Sequence, residues 1–351
     1  MEKIKIQILR NLLESEKNLW ELLDRNHYTV KDFITALNDL YNEKLIDVRD
    51  EKIYLTEEGL KQINISSLEF KSEICCKCEG KRIIFSKKFC EVLDQYRQIV
   101  KDRPMPDAGF FQGYMREQDV IYRLALMHHY SDLDNKSFVL VGDDDLLSVA
   151  LTLTGLPSRV VVLDIDARLG EYIKRISETY GLDIEFRQYD VSDPLPSDLI
   201  GAFDVFSSEP LETLSGLKAF LSRGVACLKE DGVGYFGLST AEASMKKWKA
   251  VELMLLRMNC VITDIVRDFS KYGTFYETAN YEMFTTKLKF PVGRNPGICW
   301  YKSSLFRFEV FGKPKPIIRP GRRITIKYID WKDDVTNPFL YTQGNKKVNL
   351  K

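Results

Sequence analysis

Apolar positions in the first sixty residues recur at helical spacing and then give way to short strand-like runs. Ile4, Ile8 and Leu12 mark a helix over 3–14, and Leu19, Leu22 and Leu23 a second over 16–24. Thr29 stands as an N-cap for VKDFITALNDLYNEK, with Phe33, Ile34, Leu37, Leu40 and Tyr41 on its apolar face. LIDVRD and KIYLT read as two strands turned at Asp50 and Glu51, followed by EEGLKQI. Three helices and a hairpin spell a winged-helix module. Residues 81–105 read as a strand, a helix and a linker, with a domain boundary near Pro104 and Pro106.

Beyond the linker the pattern alternates between strand and helix. A helix carrying Val120, Ile121, Leu124 and Met127 leads into a β-type run, Phe138 to Val141, that ends at Gly142. RVVVLDID, IEFRQYD, FDVFSSEPLET and VGYFGL are the next strands. The helices between them are ARLGEYIKRISETYG, closed by Gly181, and GLKAFLSRGVACL. SMKKWKAVELMLLRMN, CVITDIVRDF and LFRFEVF complete the series. This predicts an α/β fold: a Rossmann-like, doubly wound, mostly parallel sheet with one or two antiparallel strands at its end. The expected organisation is a winged-helix-like domain with its linker over 1–105, a catalytic domain over 106–320 and a tail over 321–351.

Composition narrows the function. The 351 residues include 51 basic and 51 acidic side chains, so net charge gives no argument for nucleic acid or an anionic membrane. Between Lys31 and Glu43 the third helix has one lysine against two aspartates and a glutamate. A helix built for a phosphate-lined groove is basic, so packing or dimerisation is the expected role of this module. The N-terminus lacks the pattern of a signal peptide and no apolar run is long enough to span a bilayer, which points to the cytoplasm. Of seven cysteines, four stand singly, as reduced thiols do. Richness in Lys, Glu and Ile is compatible with a thermophilic source. Cys75 and Cys78 have the spacing of a zinc half-site, but no second pair follows, and the expectation is a knuckle-like turn holding no metal.

The loop after the first strand carries the candidate chemistry. Gly142 is followed by Asp143, Asp144 and Asp145, where a dinucleotide site would be glycine-rich. A phosphate would be repelled there and a cation attracted. Asp164 and Asp166 end the second strand, Asp164 lying 22 positions after Gly142, the offset of a carboxylate that binds ribose hydroxyls. Asp190 ends the third strand, where a carboxylate can take an adenine amino group, and Glu209 and Pro210 follow the fourth. Ligands of such sheets bind beyond the carboxyl ends of the strands, so these acids converge on one crevice. Like charges so close need a compensating cation, either a metal or the substrate.

GDDD after the first strand, VVVLDID at the second, DVSDPLP at the third and SSEPLET at the fourth resemble the branched-chain polyamine synthases, the N4-bis(aminopropyl)spermidine synthases of thermophilic archaea and bacteria. The resemblance extends over residues 1 to about 320. The chain departs from the related pattern where Ser208-Glu209-Pro210 replaces a loop of aspartate–proline–proline type. The resemblance implies a dimer that binds decarboxylated S-adenosylmethionine as co-substrate, with no tightly bound cofactor, takes spermidine as acceptor and releases methylthioadenosine. It implies Asp145 as the base that frees the attacking amine. Gly142, Asp164 or Asp166, and Asp190 would hold the nucleoside. Asp143, Asp144, Glu209, Gln112 and Tyr114 would line the polyamine channel.

The charge pattern fits both reactants. The decarboxylated donor has a sulfonium and an amine but neither carboxylate nor phosphate, and spermidine is a polycation. The reaction is an in-line displacement by a secondary amine that must first lose a proton. A second transfer would give a quaternary ammonium, which carboxylates stabilise. The competing readings are an S-adenosylmethionine-dependent methyltransferase and a winged-helix DNA-binding regulator with a ligand-sensing domain.

Overall fold

The computed structural model describes residues 1–69 and 72–341. The chain begins with α1 (Lys3–Glu14), α2 (Leu19–Asp24), α3 (Val30–Asn42), the antiparallel hairpin β1 (Ile46–Arg49) and β2 (Lys52–Leu55), and a single turn α4 (Glu57–Leu60). Thr29 caps α3 through Asp32 N–H, as its position predicts. The second helix starts three residues later than expected because Asn18 and Glu21 form a capping box, while Lys17 bridges to Ile53. The apolar faces of these helices pack with Ala241, Phe284, Phe290 and Trp300 from far downstream, so their core is shared with the rest of the molecule.

Next come α5 (Lys87–Val100), α6 (Glu117–His129), β3 (Ser137–Val141), α7 (Leu147–Thr154), β4 (Arg159–Asp164), α8 (Ala167–Tyr180) and β5 (Glu185–Gln188). The chain continues through β6 (Phe203–Ser208), α9 (Leu214–Cys227), β7 (Leu228–Ser239), α10 (Met245–Arg257), β8 (Cys260–Tyr272) and β9 (Tyr301–Val310). Seven strands form one sheet in the order β5-β4-β3-β6-β7-β9-β8. The first five run parallel, and β9 is antiparallel to both its neighbours. The α/β architecture with a mostly parallel sheet therefore matches the expectation.

Both faces of the sheet are covered at its centre, which is why β3 and β4 are apolar at most positions. Phe138 and Leu140 point to one face, under α5, α6, α7 and α8. Val139 and Val141 point to the other, under α9 and α10. Helix α9 seats closely on β6 because Gly224 lies where any Cβ would come within 2.3 Å of the Phe206 ring. The strand order reverses at β3, with β4 on one side and β6 on the other, so a crevice opens beyond their carboxyl ends.

Three local expectations are corrected. Residues 82–85 form no strand: Arg82 has φ +66°, and Ile83 and Phe85 pack beneath the helical layer without a strand partner. The third parallel strand stops at Gln188, after which Tyr189 N–H bonds to Asp164 and Asp190 opens a turn by accepting from Ser192 N–H. The strand expected over VGYFGL begins earlier, at Leu228, so residues 229–232 lie inside β7, as an irregularity in its pairing with β6. The segment after β9 returns over the α9 face, burying Ile318 and Ile326. The last ten residues of the expected tail lie outside the described residues. No helix of the described residues is long and apolar enough to cross a membrane.

Candidate active site

The crevice beyond β3 and β6 holds the principal cavity, with a volume of about 210 Å³. Gly142, at φ +79°, turns the chain sharply at the end of β3 and lies on its wall. Asp164 closes one side. Its Oδ1 accepts from Asp166 N–H at 2.8 Å and its Oδ2 from Asp143 N–H at 2.9 Å, which fixes the carboxylate at the mouth of β4. Asp190, with Leu163, Ile165, Tyr189 and Phe220, continues this half of the wall. An apolar slot bordered by two carboxylates at the ends of β4 and β5 is what a nucleoside requires.

The three aspartates after Gly142 do not share one environment. Asp144 lines the principal cavity and accepts from Gly113 N–H at 3.3 Å. Asp143 and Asp145 turn instead to a second cavity of about 20 Å³ behind the loop. Gly142, Asp144 and Glu209 are walls of both cavities. The Asp145 Oδ1 accepts from Met115 N–H at 2.6 Å, and Tyr96 donates to the Asp145 backbone carbonyl. Burial, then the nearby Glu209 charge, pushes the Asp145 carboxyl up to about 7. Burial also raises Asp143 and Asp144 well above the usual carboxylate range, with neighbouring carboxylates adding to the effect.

Of the other expected ligands, Asp166 and Tyr114 line neither cavity, and Gln112 and Glu209 reach the wall already engaged by protein groups. Asp166 caps α8 and pairs with Arg168 at 2.7 Å, so it supports the wall rather than lining it. Gln112 reaches the cavity but is a strut, donating to Asp166 at 3.1 Å and accepting from Asp107 N–H at 2.8 Å. Tyr114 lines neither cavity: its hydroxyl donates to the Pro104 carbonyl, and Arg103 stacks on its ring at 3.5 Å. Glu209 lines both cavities but is not a free carboxylate. It pairs with the buried Arg123 and accepts from Tyr272 at 2.5 Å. The compensating cation inferred from the crowded acids is therefore supplied in part by the protein itself. Cys78 lies on a turn over 76–80 and Cys75 just before it; Cys75 is exposed and Cys78 buried. Among the described residues no three His, Cys, Asp or Glu side chains are arranged so that they could hold a metal ion. That turn is instead docked by the fully buried Lys81, which pairs with Asp119 and Glu79, each at 3.2 Å.

The far half of the cavity was not apparent from the strand tips. Glu212 and Glu242 line it from the segments after β6 and β7, and Asp330 and Asp334 from the returning C-terminal segment. Burial pushes Glu212 up to about 7 although Ser239 donates to it twice. Together with Asp144, Asp164, Asp190 and Glu209, eight carboxylates among the described residues line this cavity against one cation, Lys247. Lys247 is itself engaged by Asp330 at 3.1 Å and by two backbone carbonyls. Tyr328, stacked on Phe111 at 5.9 Å, covers the crevice from the same C-terminal segment. Glu212 lies within the SSEPLET motif, but the helix cap at Thr213 masks it. The others come together only by long-range folding.

Comparison with known proteins identifies the family. Residues 91–327 match the family described as branched-chain polyamine synthase A C-terminal domain. The chain is 34% identical over 311 residues to the N(4)-bis(aminopropyl)spermidine synthase of Thermococcus kodakarensis, covering 87% of each chain. It is 35% identical to that of Methanocaldococcus jannaschii over 308 residues, again covering 87% of each. The crystal structure of the branched-chain polyamine synthase from Thermus thermophilus, in complex with N4-aminopropylspermidine and 5'-methylthioadenosine, superposes with a TM-score of 0.81. Identity there is 29%, over 93% of this chain and 92% of the other. By sequence relationship across nearly its whole length, and by the architecture that carries its acidic crevice, the chain belongs to the branched-chain polyamine synthase family.

Proposed function

We propose that the principal cavity transfers aminopropyl groups from decarboxylated S-adenosylmethionine to the secondary amine of spermidine, releasing methylthioadenosine. The protein is a transferase of branched-chain polyamine synthesis. The observation that carries the site assignment is the lining of eight carboxylates against one lysine at the nucleoside position of the sheet. A ligand with a carboxylate or phosphate is disfavoured there, whereas a sulfonium and a polyamine are both attracted. Asp164 takes the ribose and Asp190 the adenine amino group, with Gly142 giving close access. Asp144, on the wall shared by the two cavities, meets the attacking amine. Asp145 accepts its proton. Glu209, Glu212 and Glu242 hold the charged arms of the polyamine, and the same carboxylates stabilise the cationic product.

The first three helices and the hairpin form a winged-helix-type module that serves packing rather than DNA reading. Asn38 of α3 donates to the Lys287 carbonyl at 3.0 Å and accepts from Lys289 N–H at 2.8 Å. Tyr41 packs on Phe290. The helix that would enter a groove is thus occupied by the catalytic half. The reading carries with it a cytoplasmic homodimer, checked by light scattering on the purified protein.

The deciding experiment incubates the protein with spermidine and either donor and analyses products by mass spectrometry. Expected are methylthioadenosine and N4-aminopropylspermidine, then N4-bis(aminopropyl)spermidine, with the decarboxylated donor alone. Methyl transfer from S-adenosylmethionine, or no reaction with the decarboxylated donor, would overturn the proposal.

A further inference from the structure

The small cavity behind the acidic loop has a polar wall that its packing does not explain. Three buried polar atoms on residues that bound it have no hydrogen-bond partner among the described residues: Oδ2 of Asp143, Nε of Arg123 and Oγ of Ser207. The three residues are 3%, 2% and 1% exposed, so bulk water does not serve them. Buried polar groups are ordinarily paired, and three orphans around one void point to a ligand. The void, about 20 Å³, exceeds the ~10–15 Å³ that one water molecule needs, and a water needs two to four polar partners.

The chemistry of the three atoms selects that occupant. Arg123 Nε–H only donates, the Asp143 carboxylate oxygen accepts, and a serine hydroxyl does either. A metal cation is opposed by the Arg123 guanidinium and an anion by the three aspartates. A water, which both donates and accepts, is the ligand whose chemistry suits all three atoms. Met115, Val120, Leu140 and Leu147 close the cavity with apolar surface. Met115 N–H engages Oδ1 of Asp145, so Oδ2 is the oxygen left to exchange a proton. Asp144 alone of the three aspartates borders both cavities.

We propose that this cavity binds one water molecule, held by Asp143, Arg123 and Ser207, and that this water passes the proton of the attacking amine from Asp144 to Asp145. The relay rests on the aminopropyl-transfer reading; the water site does not. The N–H bond of the protonated secondary amine breaks and its proton goes to Asp144. For the transfer the water exchanges its bonds to Asp143 and Ser207 for bonds to Asp144 and Asp145 and keeps the one from Arg123 Nε–H: it takes a proton from Asp144 on its free lone pair, gives one of its own to Asp145, and is regenerated. The freed lone pair forms the C–N bond. The C–S electron pair leaves with sulfur as neutral methylthioadenosine, and the sulfonium charge ends on the new tertiary ammonium. Asp145 is suited to the terminal position because its carboxyl is poised at about 7.

The test is a high-resolution crystal structure of the full chain with methylthioadenosine, for the native protein and for Ser207→Val. It is paired with the first-transfer rate in mixtures of light and heavy water. Expected is one density peak within hydrogen-bond distance of the three atoms in the native protein and none in the variant. The variant's first-transfer rate should fall roughly tenfold to a hundredfold, and a curved proton inventory should become linear. No density in the native cavity overturns the water site. A variant that loses the density but keeps both the rate and the curvature overturns the relay. So does a linear inventory in the native protein, which decides the matter if the variant fails to fold. Absence of any branched product from the native protein would overturn the reaction instead, while the density still decides the water site.

Discussion

The guanidinium of Arg123 and the carboxylate of Glu209 meet as an ion pair in the wall between the two cavities. Arg123 comes from α6 and is buried, Glu209 follows β6, and Tyr272 of β8 donates to Oε2 at 2.5 Å. The pair sets the field at Asp145. Glu209 raises the Asp145 carboxyl, second only to burial, while Arg103 and Arg123 act in the opposite sense. One acidic residue of the crevice thereby tunes another.

Glu209→Gln should move the pH dependence of the first transfer. Removing a negative neighbour lowers the Asp145 pKa from about 7, so the limb of rate that rises as Asp145 ionises shifts to lower pH. Arg123 loses its charge partner, and stability should fall by roughly 1–3 kcal/mol. Rate profiles from pH 5 to 9 and denaturant unfolding check both. A limb that shifts to higher pH would count against Asp145 as the titrating group.

Stability should fall as pH rises through the neutral range. Asp145 and Glu212 are each held at about 7 in the folded protein, against roughly 4 when unfolded. Between those values the folded chain binds more protons than the unfolded one, so the free energy of unfolding decreases with pH and levels above the folded values. Glu79, held down to about 2 with Arg116 and Lys81 as partners, has the opposite sign but acts only at acidic pH. Thermal unfolding should show a lower Tm at pH 8 than at pH 6, and spermidine should narrow the gap by pairing the ionised carboxylates. A Tm that climbs across this window would refute the assignment.

Asp164→Asn should weaken nucleoside binding. Both carboxylate oxygens accept backbone N–H groups, from Asp166 and Asp143. An amide supplies one acceptor and turns its NH2 against the other N–H. A loss of about 1–3 kcal/mol follows, some fivefold to a hundredfold in methylthioadenosine affinity by calorimetry. Asp166→Asn, whose oxygens face Arg168 and Gln112, should lower Tm more than affinity.

Arg223→Met should loosen the C-terminal segment. This fully buried guanidinium donates to five carbonyls, those of Val191 and Asp193 after β5 and those of Arg319, Pro320 and Arg322. It clasps the segment that carries Ile326, Tyr328, Asp330 and Asp334 to the cavity. Removing it leaves several carbonyls unpaired, costing at least ~3 kcal/mol. Protease cleavage after Arg322 or Lys327 should accelerate, and the KM for spermidine should rise. Unchanged protection of this segment would show that Arg223 does not hold it.

The strand tips were legible because an α/β sheet converts sequence order into position. Once β3, β4, β5 and β6 are recognised by their apolar runs, topology alone places Gly142, Asp164, Asp190 and Glu209 at one end of the sheet. That the sheet ends with antiparallel pairing was legible too, but the insertion of β9 between β7 and β8 was not. The orientation of each side chain was not. Whether Asp144 or Asp145 enters the larger cavity depends on a backbone turn fixed by Met115 N–H and Tyr96, residues that lie far from the loop in sequence. Asp166 was indistinguishable from Asp164 until Arg168 claimed it. Arg123 sits within the apolar stretch Val120 to Met127 of α6, and its meeting with Glu209 spans 86 positions. Glu242, Asp330 and Asp334 reach the cavity only through the return of the C-terminal segment, which Arg223 secures by contacts up to 99 residues away. The sequence by itself thus determined the sheet and the acidic character of its carboxyl end, because strand and helix periodicities are local. Only the tertiary structure decided which acids face the substrates, which are neutralised by buried arginines and what closes the crevice, because those depend on contacts between distant segments.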